Sequence, residues 1–113
     1  MAQAVFVQAG DAIDYAPAGD VAPGDVIVQG DLVGIAKQEI KAGALGALAV
    51  AGVFDVAKAS GAAVTFSAGE AVYWDDAAKL ALTTDGAGAN KLLGKAVADA
   101  ADADEVVRVR LSQ

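Results

Sequence analysis

The chain has 113 residues, of which fifteen are acidic and eight basic, so it carries a net charge of −7 and has a pI near 4.2. It contains no cysteine and no histidine, which excludes disulfides, thiolate metal sites and the commonest general base of enzymes. Nucleic acids and anionic membranes bind clustered lysine and arginine, so an acidic chain is a poor partner for either. The length fits one domain, residues 1–113, and no apolar run approaches the roughly 20 residues of a membrane-spanning helix.

Small apolar side chains dominate the composition, with 29 alanines and 15 valines. Two explanations are open. Small residues could line the crowded corners of a tightly wound β fold, or an oligomer could bury part of this surface between subunits. The start of the chain, residues 1–4, lacks the basic segment of a signal peptide, so we expect a protein that is made and kept inside a cell or packaged from there.

Short apolar runs separated by turn residues predict strands along the whole chain. Glycine recurs too often to leave a clean helical window. The last run alternates valine with arginine, which places Arg108 and Arg110 on one face of a half-buried strand. Turns at intervals of roughly 8–12 residues predict an all-β fold, either a small barrel or a sandwich. The predicted strands are residues 5–7, 13–15, 26–28, 32–35, 45–50, 53–56, 64–66, 72–74, 79–83, 91–97 and 105–111.

One sequence frame occurs twice. Residues 22–36 and 67–96 each contain a Gly-acid turn, a short apolar strand, and then two aliphatic residues followed by Gly-x-Ala. An internal repeat would explain the match, with residues 46–50 opposite 106–110, an insert over residues 75–90, and two halves packed as a pseudo-symmetric barrel. The alternative is that Gly-acid-hydrophobic sequences are common at β-turns. The frame predicts that four glycines lie at the turns, or corners, of a compact β scaffold: Gly24, Gly34, Gly69 and Gly94.

Two acidic groups could carry chemistry. Asp75 and Asp76 could bind a cation or act as acid and base, but neighbouring residues of a strand point to opposite faces, which favours a polar hairpin end. The second group lies at residues 99–105. It lacks the glycine and the bidentate glutamate that a calcium loop needs, so a solvated acidic loop is favoured there. A serine–lysine pair using Lys58 is conceivable. We therefore expect no catalytic residue, no metal and no cofactor. The second acidic group is Asp99, Asp102, Asp104 and Glu105.

Two segments are candidates for partner binding. Residues 1–10 could form an arm that adds to the sheet edge of a neighbour by main-chain hydrogen bonds, or they could contain the first strand of the domain's own sheet. Residues 73–76 include Trp74, which could anchor an interface or lie in the core. The candidate partner-binding residues are Val5, Phe6, Val7, Tyr73, Trp74, Asp75 and Asp76.

The order of these pieces resembles a known family. Residues 6–15, 24–36, 42–56, 72–75 and 107–111 together look like the small capsid cement, or decoration, proteins of tailed phages and prophages, long catalogued as a domain of unknown function, DUF2190. The resemblance implies a structural, non-enzymatic virion protein that binds the major capsid protein on the outside of an expanded shell as a homotrimer. It also implies a location on the capsid surface after synthesis in the bacterial cytoplasm. A small ligand- or polymer-binding β module is the alternative function.

Overall fold

Nine short strands form two antiparallel sheets in the computed structural model, which describes residues 3–6, 10–59 and 64–112. Apart from one 3-10 turn at Gly86–Gly88, all the regular structure in these ranges is β, as predicted. No helix in the described ranges is long and apolar enough to cross a membrane. The strands are β1 Ala12–Tyr15, β2 Val26–Gln29, β3 Leu32–Ile35, β4 Gly46–Ala49, β5 Val53–Ala57, β6 Ala71–Asp75, β7 Leu80–Leu82, β8 Lys91–Ala96 and β9 Val106–Leu111.

The first sheet has the strand order β1-β4-β3-β2, and the second has the order β5-β9-β8-β6-β7. The two edge strands of the second sheet, β5 and β7, approach each other at an isolated parallel bridge between Lys58 and Ala81. A single bridge is not a continuous ladder, so the sheet does not close into a barrel. Of the two architectures that the sequence allows, the sandwich-like one is observed.

The two copies of the frame form the same turn, with matching hydrogen bonds. The backbone N–H of Gly24 donates to the carbonyl of Ala36 at 2.7 Å, and that of Gly69 donates to the carbonyl of Ala96 at 2.7 Å. Both glycines have positive φ angles, 89° and 91°, which strongly favour glycine at this position of a turn. In strand order, β1, β2, β3 and β4 correspond to β5, β6, β8 and β9.

The acid of each Gly-acid turn closes that turn. A carboxylate oxygen of Asp25 accepts from the N–H of Ala22 at 3.0 Å, and one of Glu70 accepts from the N–H of Ser67 at 3.0 Å. The backbone N–H of each acid donates back to the carbonyl of the same partner, at 3.1 and 3.0 Å. The acids of the repeated frame are therefore structural, because they satisfy backbone donors that the turn would leave unpaired.

Gly34 and Gly94 are not corners, and this part of the prediction is wrong. They lie inside β3 and β8, where a neighbouring strand approaches the backbone closely. A methyl group at Gly34 would lie 2.9 Å from Cβ of Leu48, and one at Gly94 would clash with the carbonyl of Arg110. Glycine is favoured at both positions because a methyl group has no free space there, and the obstruction is more severe at Gly94, where it is backbone.

The predicted alignment of residues 46–50 with residues 106–110 is shifted by one residue from the observed one. Ile35 pairs with Ala49 in the first sheet, and the corresponding Lys95 pairs with Arg110 in the second. Ala49 is therefore the counterpart of Arg110, whereas the prediction set residue 50 opposite it. The insert over residues 75–90 forms β7 and the 3-10 turn, which explains why the second sheet has one more strand.

The main core lies between the two sheets. Val33 and Ile35 of β3 enter it from the first sheet, and Val26 and Val28 of β2 pack against it. The second sheet and its loops supply the rest: Val56, Phe66, Val72, Trp74, Ala81, Leu93, Ala96, Ala100, Val107, Val109 and Leu111. A smaller cluster of Val21, Ala36, Ile40 and Leu48 forms separately from the main core. Among the described residues, three of the thirteen buried ones in the main core and one of the four in the smaller cluster are alanines, so small side chains fill part of both.

Candidate functional site

The N-terminal arm exposes two large apolar side chains. Val5 is 78% exposed and Phe6 is 85% exposed, and residues 3–6 belong to no strand. The third predicted arm residue, Val7, lies outside the described residues. The first strand of the domain is β1, which begins at Ala12. In the described ranges the arm therefore presents apolar groups to solvent, and its addition to a neighbouring sheet edge stays a prediction.

Trp74 lies in the core rather than on the surface. It is 4% exposed because strand alternation in β6 turns Val72 and Trp74 inward. A partner cannot contact the buried ring, so a direct role as an interface anchor does not fit this structure. The indole Nε1–H instead donates to Oδ1 of Asp76 at 3.2 Å and thereby holds the turn that follows.

Asp75 and Asp76 have separate structural partners. Oδ1 of Asp75 accepts from the backbone N–H groups of Ala77 and Ala78 at 3.1 and 3.2 Å, which organises the turn between β6 and β7. Oδ1 of Asp76 accepts from Nζ of Lys79 at 2.8 Å. That hydrogen bond is the main reason why the pKa of Asp76 is lowered; burial opposes it, and the Trp74 indole adds a further lowering that is smaller than the effect of burial. The pair is a hairpin end, as the polar interpretation predicts.

The second acidic group also caps turns. Asp99 accepts from the N–H of Ala68 at 2.8 Å, and Asp104 accepts from the N–H of Ala101 at 2.8 Å. Within the described ranges, no three carboxylates lie close enough together to hold a metal ion. These acids stabilise the two loops that cover the second sheet, next to the bridge between Phe66 and Ala100.

Lys58 is buried, with 3% of its surface exposed. Its Nζ donates to the carbonyl of Ala59 at 2.9 Å. Of the serines that could pair with it, Ser60 lies outside the described residues. Ser67 is already part of the turn closed by Glu70.

An open cleft of about 450 Å³ lies between β2, an edge strand of the first sheet, and β5, an edge strand of the second. Sequence reasoning missed it, because its walls come from segments far apart in the chain. Its charged residues are Asp25, Asp55 and Lys79. Its large apolar residues are Val26, Ile27, Ile35, Phe54, Val56 and Trp74.

The outer face of the second sheet concentrates positive charge. The strand register sets Val53 opposite Arg110, and Arg110 opposite Lys95. Asp55 lies opposite Arg108 and forms a two-pronged ion pair with it, at 2.9 and 3.2 Å. This hydrogen bonding lowers the pKa of Asp55 and raises that of Arg108. We call this surface the basic face; it consists of Val53, Asp55, Lys95, Val97, Val106, Arg108 and Arg110.

The sequence predicted only part of the basic face. The alternation in β9 correctly placed Arg108 and Arg110 on one exposed face. Lys95 joins them from β8, and three exposed valines border them. That grouping depends on strand pairing, which no local signal in the sequence specifies.

Comparison with known proteins identifies the family. Neither a search of curated proteins nor a search of solved structures gave a significant match. A family profile described as phage cement protein matches residues 7–111, which is nearly the whole chain and includes both repeats. Since the match spans all nine strands, the chain belongs to the phage cement protein family.

Proposed function

We propose that this protein is a non-catalytic component of the virion that binds the outer surface of a phage capsid and stabilises the shell. Its partner is the major capsid protein, and its functional unit is a homotrimer. The single observation that carries the proposal is the family match over residues 7–111. We propose that the protein is made in the bacterial cytoplasm, from a phage or prophage gene, before it joins the capsid.

The fold suits a part that resists force rather than one that performs chemistry. The acids that could have formed a reactive pair are occupied, since Asp75 organises a turn and Asp76 holds Trp74 and Lys79. The two turns of the repeat are each closed by main-chain and carboxylate hydrogen bonds. A trimer of such rigid units multiplies modest contacts with the shell, because the second and third contacts become intramolecular once the first has formed.

The proposed contacts with the capsid begin with the N-terminal arm. Val5 and Phe6 are exposed, and burying a side chain of this kind contributes roughly 1.5–3 kcal/mol. The arm would pair its main chain with a strand edge of the capsid subunit and insert these side chains beside it. The hairpin end at Tyr73, Asp75 and Asp76 is a second proposed contact, supported from inside the fold by Trp74.

Cosedimentation with expanded, undecorated capsids tests the proposal. We expect the wild-type protein to sediment with the shells, and a variant carrying Val5→Ser and Phe6→Ser to bind at least about tenfold more weakly, since about 1.4 kcal/mol corresponds to tenfold. Leu45→Ser is the matched control, because Leu45 is 74% exposed but lies outside the arm. Absence of wild-type binding at every salt concentration would refute the function, whereas equal loss in the control would refute only the role of the arm.

A further inference from the structure

We propose that the basic face is the docking surface for a second copy of this chain, which contacts it through Asp11 and Asp14 at the β1 edge of its first sheet. The inference rests on the proposed function in one respect: the number of subunits, three, is that of the proposed homotrimer. Its location in the fold comes from the distribution of charge and from a comparison of the two repeats.

Two of the three cations on the basic face have no carboxylate partner among the described residues. The face carries three of the eight cations of the chain but only one of its fifteen acids. That one acid, Asp55, is occupied by Arg108. In the described ranges, no carboxylate pairs with Arg110 or Lys95, and both side chains are exposed. The surface therefore offers two free positive charges directly opposite each other on neighbouring strands.

Exposed valines surround these charges. Val53 is 54% exposed, Val97 is 44% exposed and Val106 is 48% exposed. Val97 lies beside Arg108, whose carbonyl accepts a hydrogen bond from the Val97 N–H at 2.9 Å. Arginine bordered by apolar side chains is typical of protein–protein contacts, where the apolar groups are buried and the guanidinium supplies directed hydrogen bonds.

The first repeat carries the complementary charge. Asp14 in β1 is the counterpart of Asp55 in β5, as the registers with β4 and β9 show. Asp55 faces Arg108, but Asp14 faces Ala47 and has no cation among the described residues. Asp11 also has no cationic partner there. At this equivalent position the first repeat thus has a carboxylate without a cation, whereas the second repeat has a complete ion pair with two further cations beside it.

A second copy fits the basic face better than nucleic acid does. Outside this face, the chain has five cations and fourteen acids, so another copy offers the required negative surface. Nucleic acid would release few counterions from so few cations and would be repelled by the rest of the protein. A contact between two different surfaces of the same chain is head-to-tail, and such contacts close into a ring when the rotation allows. Three copies would form the trimer.

Charge reversal tests this contact by measurement of molar mass in solution, with light scattering and sedimentation equilibrium. We expect a trimer for the wild type at low salt. We expect monomers for Lys95→Glu with Arg110→Glu, and for Asp11→Lys with Asp14→Lys, with dissociation constants raised at least about a hundredfold by the repulsion of close charges. Mixing the two variants should restore association of pairs, because a contact between unlike variants again joins opposite charges; a closed ring of three would leave one contact between like charges, so the expected product is a heterodimer. The matched controls, Lys37→Glu with Lys41→Glu and Asp102→Lys with Glu105→Lys, should remain trimeric.

Salt titration of the wild type supplies a second readout that needs no variant. The trimer should dissociate as salt rises from about 0.05 to about 1 M, since screening shortens the reach of exposed charges to about 3 Å. A wild type that is monomeric at all salt concentrations, variants that stay trimeric, or a mixture that fails to associate would each overturn the inference. Cosedimentation of the same proteins with capsids separates this failure from failure of capsid binding, because a monomer that still binds shells contradicts the homotrimer and its head-to-tail contact but not the binding to the shell.

Discussion

Substitution of Gly94 by alanine should damage this fold more than any other glycine-to-alanine change at a site without positive φ. Gly94 lies inside β8, opposite Leu111 of β9. An added methyl group would clash with the carbonyl oxygen of Arg110 and would lie 2.9 Å from its carbonyl carbon and 3.0 Å from the backbone nitrogen of Ser112. All three obstructing atoms are backbone, so no side-chain rotation can relieve the contact. Strand β9 has to move as a unit.

The magnitude follows from two opposing effects. Overpacking in a closely packed interior lowers the free energy of unfolding by about 1–3 kcal/mol, and the upper end applies here because β9 carries the buried Val107, Val109 and Leu111. Replacing glycine by alanine also removes freedom from the unfolded chain, which offsets about 0.4–1 kcal/mol. The net loss for Gly94→Ala is therefore about 2–2.6 kcal/mol, which lowers Tm by about 8–10 °C in a domain of this size.

Gly34 and Gly19 provide graded controls. At Gly34 the nearest atoms to an added methyl group are Cβ and Cδ1 of Leu48, at 2.9 and 3.2 Å. Cδ1 can rotate away, and a small backbone shift relieves the contact with Cβ, which is milder than the clash at Gly94. We expect a loss of about 1 kcal/mol for Gly34→Ala. Gly19 has nothing within 4 Å, so Gly19→Ala should stay within about 0.5 kcal/mol of wild type.

Urea unfolding followed by fluorescence of Trp74, the single tryptophan, measures all three variants with one buried probe. If Gly94→Ala and Gly19→Ala have equal midpoints and equal slopes, the close approach of β9 to β8 is not present in solution and the reasoning fails. If Gly34→Ala is the more damaging change, the ranking based on backbone against side-chain contact is wrong.

Three further outcomes can be checked in the same way. Asp25→Ala and Glu70→Ala should each lower the free energy of unfolding by about 0.5–1.5 kcal/mol in urea titration, and their effects should add because they act on separate turns. Trp74→Ala should lower it by about 3–5 kcal/mol, measured by circular dichroism, and a loss below 1 kcal/mol would contradict its burial. Lys91 donates to Asp31 at 2.8 Å and lowers the pKa of that carboxyl, so the ion pair stabilises the fold above the unfolded pKa near 4 and is lost as pH falls through the lower folded value. The stability difference between wild type and Asp31→Asn should therefore shrink on acidification below about pH 4, and a difference that grows instead would reverse the sign of the coupling.

Local patterns predicted all nine strands observed in the described ranges and the repeated turn, because those features depend on residues close together in the chain. They also predicted a strand at residues 64–66, where the structure has only an isolated bridge at Phe66. The alternation of valine and arginine in β9 fixed both its conformation and its exposed face. The Gly-acid turns were recognisable because a positive φ angle and a carboxylate acceptor are requirements of the turn itself. Both repeats could therefore be found before any strand pairing was known.

Features that depend on pairing between distant strands could not be predicted. Residues 72–74 are Val-Tyr-Trp, which contains no alternation of polar and apolar types, so the sequence did not indicate that Trp74 points inward. Gly34 and Gly94 resemble turn glycines in sequence, and only the approach of β4 and β9 shows why they lack side chains. The basic face likewise needs β5, β8 and β9 side by side.

The two repeats have diverged most where their environments differ most. Ile35 and Lys95 occupy equivalent positions, and so do Ala49 and Arg110. Ile35 is 4% exposed and belongs to the core that joins the two sheets, whereas Lys95 faces solvent. The outer face of the first repeat is thus apolar where the second repeat packs against it. The same face of the second repeat has no further repeat to cover it, and it carries charges and half-exposed valines instead. The first repeat therefore uses its outer face for packing inside the fold, whereas the second repeat presents the same face to solvent. The charges on that face keep the free subunit soluble and also direct the docking of a partner. Such a face is chemically suited to a partner that associates and dissociates.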